Sequence, residues 1–319
     1  MAAAAVTRAH TQYRIGKPGV AWTPAEYQLW RTEQNVTKRD YFADVVSPLL
    51  RTPFGTVFQY GELDYRPLGA ARYPLFAIKT EQWSQDKPLV VITGGVHGYE
   101  TSGIHGALLF IREKLEAYTG KANVLVLPCV SPWGYETINR WTPLGLDPNR
   151  QFVPEAPGCA EAENAMKCVF EHAAQSSGVL MHMDLHETTD TDNSEFTPAK
   201  AARDGEGVPK WYPIPDGFYL IGDEPRPQLE WHETMIAAVS KVTHIAEPDE
   251  RNTICDEPVT KHGILILPAV GDCASFTPAK FTTTTEVYPD SSRTNADECN
   301  RAQAACVVAG LDYALEHQA

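Results

Sequence analysis

The chain has 319 residues, 43% of them hydrophobic and 21% charged, which describes a globular protein of one large or two small domains and excludes a disordered one. Lys+Arg 27 against Asp+Glu 41 leaves a net charge of −14, a balance that disfavours nucleic acid or an anionic membrane as partner and is compatible with cationic substrates. The seven cysteines are dispersed, odd in number and without a Cys-x-x-Cys pair, the start Met1–Arg8 is too short for a signal core, and no apolar run approaches a membrane span. Reduced thiols in a cytoplasmic protein are therefore expected.

In chain order, residues 1–45 are mixed and polar and read as an extension that docks on the remainder. They contain a helix opened by Thr23 as N-cap and Pro24 at N1 and running to about Thr32. Alternating segments between Gly55 and Thr80 predict an antiparallel hairpin. From there the pattern becomes α/β: a strand over Leu89–Thr93, a helix over Ser102–Tyr118, a strand over Val124–Pro128 and a helix over Ala160–Gln175. A strand over Val179–Leu185, a helix over Gln228–Ala246, strands over Ile264–Leu267 and Thr282–Val287, and a closing helix over Asn295–His317 complete it. Residues 190–227, rich in Pro, Gly and Asp, read as a long loop excursion of the kind that walls an active site. Strands alternating with helices predict a mixed, mostly parallel central sheet with helices on both faces, in a single domain over residues 46–319.

Ligands of open parallel sheets bind beyond the carboxyl ends of the strands. Three predicted strands end in chemically useful residues. The first runs Val90-Val91-Ile92-Thr93-Gly94-Gly95 and then delivers His97 and Glu100, an imidazole and a carboxylate of the kinds zinc accepts. The second carries His182, Asp184 and His186 on one face by the period of two, with His186 nearest the strand end. Two His and one Glu with a fourth position left open is the pattern of a catalytic zinc. The third, Thr282-Thr283-Thr284-Thr285-Glu286, offers a carboxylate as strand gives way to loop. Between them lie Arg140 and Asp147-Pro148-Asn149-Arg150, where a guanidinium fork can hold an anionic group bidentately.

Together these segments resemble the zinc carboxypeptidase family, the carboxypeptidase A-like metallopeptidases, with their aspartoacylase and succinylglutamate desuccinylase relatives. The motifs that carry the resemblance are His97-Gly98-Tyr99-Glu100, Ser131-Pro132-Trp133-Gly134-Tyr135, Asp147-Pro148-Asn149-Arg150-Gln151-Phe152, His186, and Glu286 in its threonine-rich strand, in that order over residues 90–290. The resemblance implies a zinc carboxypeptidase-like (phosphorylase/hydrolase-like) fold with one zinc per chain held by His97, Glu100 and His186. It implies that Asp147 orients His97, that Asn149 and Arg150 grip a substrate's terminal carboxylate, that Glu286 is general base and then general acid, and that Arg140 polarises the scissile carbonyl. Tyr219, Asp272 and Phe276 are candidates for specificity or capping residues.

The expected activity is hydrolysis of a C-terminal peptide bond. The runner-up is an N-acyl-amino-acid amidohydrolase, because Asp184-Leu185-His186-Glu187-Thr188-Thr189 resembles the desuccinylase branch and the interval between first and third ligands (186 − 97 = 89 residues) is compact. A third reading is a zinc-binding protein without turnover, against which an intact Glu286 argues. Glu187 would serve as base if Glu286 faced away, although the strand period sends it to the face opposite His186.

Overall fold

The computed structural model describes residues 13–318. The Met1–Arg8 start, like the rest of the chain before Tyr13, lies outside the described residues. Helix α1 (Pro24–Gln34) begins where the sequence places it: Glu26 reaches back to the Thr23 N–H at 2.9 Å, closing a capping box. A π-turn over Phe42–Val46 runs into α2 (Ser47–Leu50). The side chains of Tyr13, Trp22, Trp30 and Tyr41 share a buried cluster with Trp133, Tyr135 and Trp141 of the chain beyond residue 45.

Strands β1 (Thr56–Asp64) and β2 (Arg72–Lys79) form the expected hairpin. Then follow β3 (Leu89–Gly94), α3 (Thr101–Glu113), β4 (Asn123–Leu127), α4 (Pro132–Thr137), α5 (Ala160–Ala173) and β5 (Val179–Glu187). Next come α6 (Thr197–Asp204), β6 (Tyr219–Asp223), α7 (Leu229–Val239) and a small hairpin of β7 (Thr253–Ile254) and β8 (Glu257–Pro258). The chain closes with β9 (Ile264–Leu267), β10 (Phe281–Val287) and α8 (Ala296–Glu316).

The sheet has eight strands in the order β1-β2-β4-β3-β5-β10-β6-β9. The β3–β4, β3–β5, β5–β10 and β6–β9 pairs are parallel, and the β1–β2, β2–β4 and β6–β10 pairs antiparallel. Strand periodicity divides the core. Val90, Ile92, Val124, Val126, Met181, Met183 and Leu185 point to one face, where they pack with Phe110, Trp231, Met235, Val307 and Leu311 of α3, α7 and α8. Leu89, Val91, Leu125 and Leu127 point to the other and meet Ala162, Met166 and Val169 of α5. Each fully buried large side chain contributes about 1.5–3 kcal/mol, so central strands covered on both faces can be continuously apolar.

Two expectations need correction. The excursion over residues 190–227 is not a bare loop: it carries a π-turn over Asp192–Phe196, α6 and the strand β6. Strand β6 is only five residues long, ends in Asp223 and is flanked by Asp216-Gly217 and Glu224-Pro225, so its apolar centre was hidden among turn residues. The helix expected to reach Ala246 stops at Val239, because Ile245 leaves the helical path to bridge Phe218. Among the described residues no helix is long and apolar enough to cross a membrane. All seven cysteines are free.

Candidate metal centre and active site

Strand β3 ends at Gly94, and Gly95 takes φ +60°, the left-handed turn that brings the following segment over the sheet edge. Gly103 in the first turns of α3 lets that helix touch β5, since a Cβ there would lie 2.2 Å from the Leu185 carbonyl oxygen. Glu100, at the N-cap position of α3, thereby reaches the end of β5. His97, Glu100 and His186 are buried, and their ligand atoms lie within 4.8 Å of one another. His97 Nδ1 stands 2.8 Å from Glu100 Oε1, and His186 Nδ1 stands 2.7 Å from Glu100 Oε2.

The outward nitrogen of each imidazole meets its own carboxylate: His97 Nε2 lies 2.8 Å from Asp147 Oδ1, and His186 Nε2 lies 2.6 Å from Asp184 Oδ2. An outer carboxylate fixes the tautomer of a ligating histidine. With both Nε2 atoms protonated toward these acids, both Nδ1 lone pairs converge on the Glu100 carboxylate. Three lone-pair donors so close repel one another unless a cation, a proton on Nδ1 or a metal ion, lies among them. Glu100, Asp147, Asp184 and Asp192 are clustered there, and Arg140 pairs with Asp147 and Asp192. The residues therefore fit a divalent metal, and two imidazoles with one carboxylate fit zinc.

Burial opposes charging of these groups, and their neighbours overrule it. Asp184 and Glu100 hold the His186 imidazole well above its ordinary pKa, while His97 and His186 hold Glu100 below the usual carboxylate range. His97 and Arg140 do the same for Asp147. Glu286 differs: burial pushes it up to about 8 despite the pull of His186. It stands opposite His186 in the β5–β10 ladder and accepts a hydrogen bond of 3.0 Å from the Thr188 hydroxyl, itself 2.7 Å from the Tyr219 hydroxyl.

The other residues singled out in the sequence fall as follows. Arg140 lies 3.8 Å from Glu100 and pairs with Asp147 at 3.2 Å and Asp192 at 2.9 Å. Asn149 accepts from the Cys273 N–H at 2.7 Å and keeps its amide nitrogen 3.3 Å from His186. The Arg150 guanidinium donates to the Asn149 carbonyl at 2.5 Å. Two cavities flank the centre, one of about 590 Å³ and one of about 400 Å³, and Arg140, Arg150 and Glu286 border both. Tyr219 lines the larger and Asp272 the smaller. Phe276 lines neither; it stacks on Phe152 and meets the edge of His182. Glu187 receives the N–H groups of Ser102 at 2.7 Å and Thr101 at 3.1 Å at the start of α3, so its carboxylate is committed to the helix end next to Glu100.

Several positioning residues escaped the sequence reading. Asp184 was placed on the correct face, yet its partnership with His186 needed coordinates. Gln303 of α8 donates to the His186 carbonyl at 2.8 Å and accepts from Thr285 at 2.5 Å, steadying β5 and β10 from behind. Asp192 accepts from Tyr99 at 2.7 Å and from Arg140. No local motif marks Gln303 or Asp192, since their partners are distant in sequence.

Residues 86–206 match the family model of the succinylglutamate desuccinylase/aspartoacylase catalytic domain. A candidate metallopeptidase from Shewanella amazonensis SB2B superposes with TM-score 0.63 at 19% identity, over 84% of this chain and 90% of that one. The fold is zinc carboxypeptidase-like. Within the same fold, a metallo-carboxypeptidase from Burkholderia cenocepacia superposes with TM-score 0.55 at 12% identity, over 94% of this chain and 70% of that one. Bovine thrombin-activatable fibrinolysis inhibitor, in complex with a tick carboxypeptidase inhibitor, gives TM-score 0.52 at 12% identity over 93% and 98%. No curated protein matches the chain at significant sequence similarity. At 12–19% identity these structures establish the fold, and the family-model match covers residues 86–206 of the chain.

Proposed function

We propose that the chain is a zinc-dependent carboxypeptidase, with His97, Glu100 and His186 as ligands of one zinc ion. The observation that carries this reading is the buried His97–Glu100–His186 donor set, whose His97 lines the smaller cavity, beside Glu286 and Arg150, which border both cavities. A zinc ion there supplies Lewis acidity toward water and toward a substrate carbonyl. Asp147 and Asp184 orient the two imidazoles. Glu286 removes the proton of the attacking water on its carboxylate and delivers it to the departing amine nitrogen, a role that a carboxyl poised near neutral pH fits. Arg140, held by Asp147 and Asp192, stabilises negative charge developing on the carbonyl oxygen. Arg150 and Asn149 hold the terminal carboxylate, so that the last peptide bond faces Glu286. The terminal residue occupies the 400 Å³ cavity and the rest of the peptide the 590 Å³ one.

The family-model match over residues 86–206 supports a second reading, an amidohydrolase acting on N-acyl amino acids. Mass spectrometry of purified protein with mixed peptides and N-acyl amino acids tests both. Stepwise loss of C-terminal residues is the expected outcome; release of acetate or succinate alone selects the second reading, and neither product overturns both.

A further inference from the structure

The smaller cavity has a charge pattern that neither the hydrolytic centre nor the fold requires. We propose that it is a binding site for a cationic side chain, so that the preferred C-terminal residue is arginine or lysine. The inference rests on the reading of the His97–Glu100–His186 cluster as the hydrolytic centre and names the substrate class for it.

Three observations carry it. Asn149 and His97 line only the smaller cavity, and Arg150 borders it. A residue whose carboxylate is gripped by Asn149 and Arg150 therefore extends its side chain into this space and not into the larger one. Among the described residues, the walls away from the metal centre carry Asp223, Glu257 and Asp272 and no cation, and the guanidiniums on the lining are Arg140 and Arg150 at the catalytic end, the first already paired with Asp147 and Asp192. Asp223 supplies the most specific feature. It is 6% exposed; its Oδ2 receives Arg226 at 2.7 Å, but its Oδ1 is buried with no hydrogen-bond partner. Arg226 does not line the cavity and is tied on its other side to the carbonyls of Thr277 and Ala279.

A buried carboxylate oxygen without a donor is costly, and a ligand that brings a donor relieves the cost. Asp272 keeps Oδ1 on the Val270 N–H at 2.9 Å, which orients the carboxylate while leaving lone pairs for a ligand. Ile221, Leu267 and Ala274 provide an apolar sleeve for an aliphatic stem. Long stem, apolar sleeve and acidic end together describe arginine or lysine. An acidic side chain would face Asp223 and Asp272, and an aliphatic one would leave Asp223 Oδ1 unpaired. The volume of about 400 Å³ suits a side chain of that length, being within the usual range of small-ligand sites, about 300–1,000 Å³.

Two peptides identical except for arginine or its neutral isostere citrulline at the C-terminus isolate the charge. The zinc-loaded protein is expected to show kcat/KM at least tenfold higher for arginine, and the ratio is expected to fall severalfold in Asp272→Asn, which keeps the Val270 contact and the fold. Asp223→Asn is the second variant, with the same expected direction. A ratio near one in the wild type, or preference for an apolar or acidic terminus, overturns the proposal. Free arginine and free citrulline are measured in parallel by calorimetry, so that the test does not depend on turnover. Tighter binding of arginine with no peptide hydrolysis sustains the cationic site while removing the peptidase reading. Equal binding of the two removes the cationic site whatever reaction the protein performs.

Discussion

Two of the regions that bury histidines treat the same imidazole in opposite ways. At the carboxyl edge of the sheet, each nitrogen of His97 and of His186 meets a carboxylate. Behind that edge, His182 meets the hydroxyls of Thr93 and Thr277 and the edge of Phe276, while His232 donates from Nδ1 to the Gln228 carbonyl and leaves Nε2 without a partner. Burial, the largest influence on each, pushes both of these down to about 4. Burial of His186 is just as complete, yet two acids hold it in the opposite direction. A deeply buried histidine is thus no indication of a metal site; the carboxylates around it are.

That contrast can be broken by substitution. The largest effect is expected in His186→Ala, which removes one of the three proposed ligands: elemental analysis should find about one zinc per chain in the wild type and little in the purified variant, and full metal content in the variant would dissolve the proposed centre. Glu286→Gln should keep its zinc and lose about 10²–10⁴-fold in turnover, measured on the best substrate of the screen; wild-type rates would move the base elsewhere. Asp184→Asn tests whether the carboxylates make the difference between the two regions. Zinc affinity by competition with a chelator should weaken about 10–100-fold, and an unchanged affinity would make Asp184 a bystander.

The smallest effect belongs to the region behind the sheet edge. His232 has a folded pKa of about 4 against an ordinary 6.5, so below pH 6.5 the unfolded chain takes up a proton that the folded one refuses. Stability is therefore lost as pH falls, by about 2 kcal/mol between pH 7 and pH 5 from this residue. In His232→Leu that share of the acid-side slope should vanish in urea titrations at the two pH values, while zinc content stays as in the wild type. An unchanged slope would mean that the buried imidazole is solvated after all.

Much of the site was legible before any coordinates. The His97–Glu100 pair is local: three residues and a left-handed Gly95 bring both side chains to one strand end, and strand and glycine chemistry leave few alternatives. His186 and Glu286 follow from the period of two, because only one parity of β5 and β10 can face the site while the other packs into the apolar layer under α3, α7 and α8. Glu187 illustrates the same parity from the other side: its carboxylate serves the start of α3. By contrast, β6 was invisible, since five residues between turn formers carry too little pattern, and their strand state comes from pairing with β10 and β9.

The sequence by itself therefore determined the α/β class, the mostly parallel sheet and the three strand ends that bear the donor residues, because periodicity and turn chemistry act over a few neighbouring positions. Only the tertiary structure decided that Asp184 is the acid His186 faces, that Gln303 of α8 braces the His186 strand, and that the smaller cavity ends in Asp223 and Asp272. Except for the His186–Asp184 pair, two positions apart on β5, those contacts join residues tens to more than a hundred positions apart. Coulomb and hydrogen-bond energies depend on separations of a few ångströms, which no local pattern along the chain records.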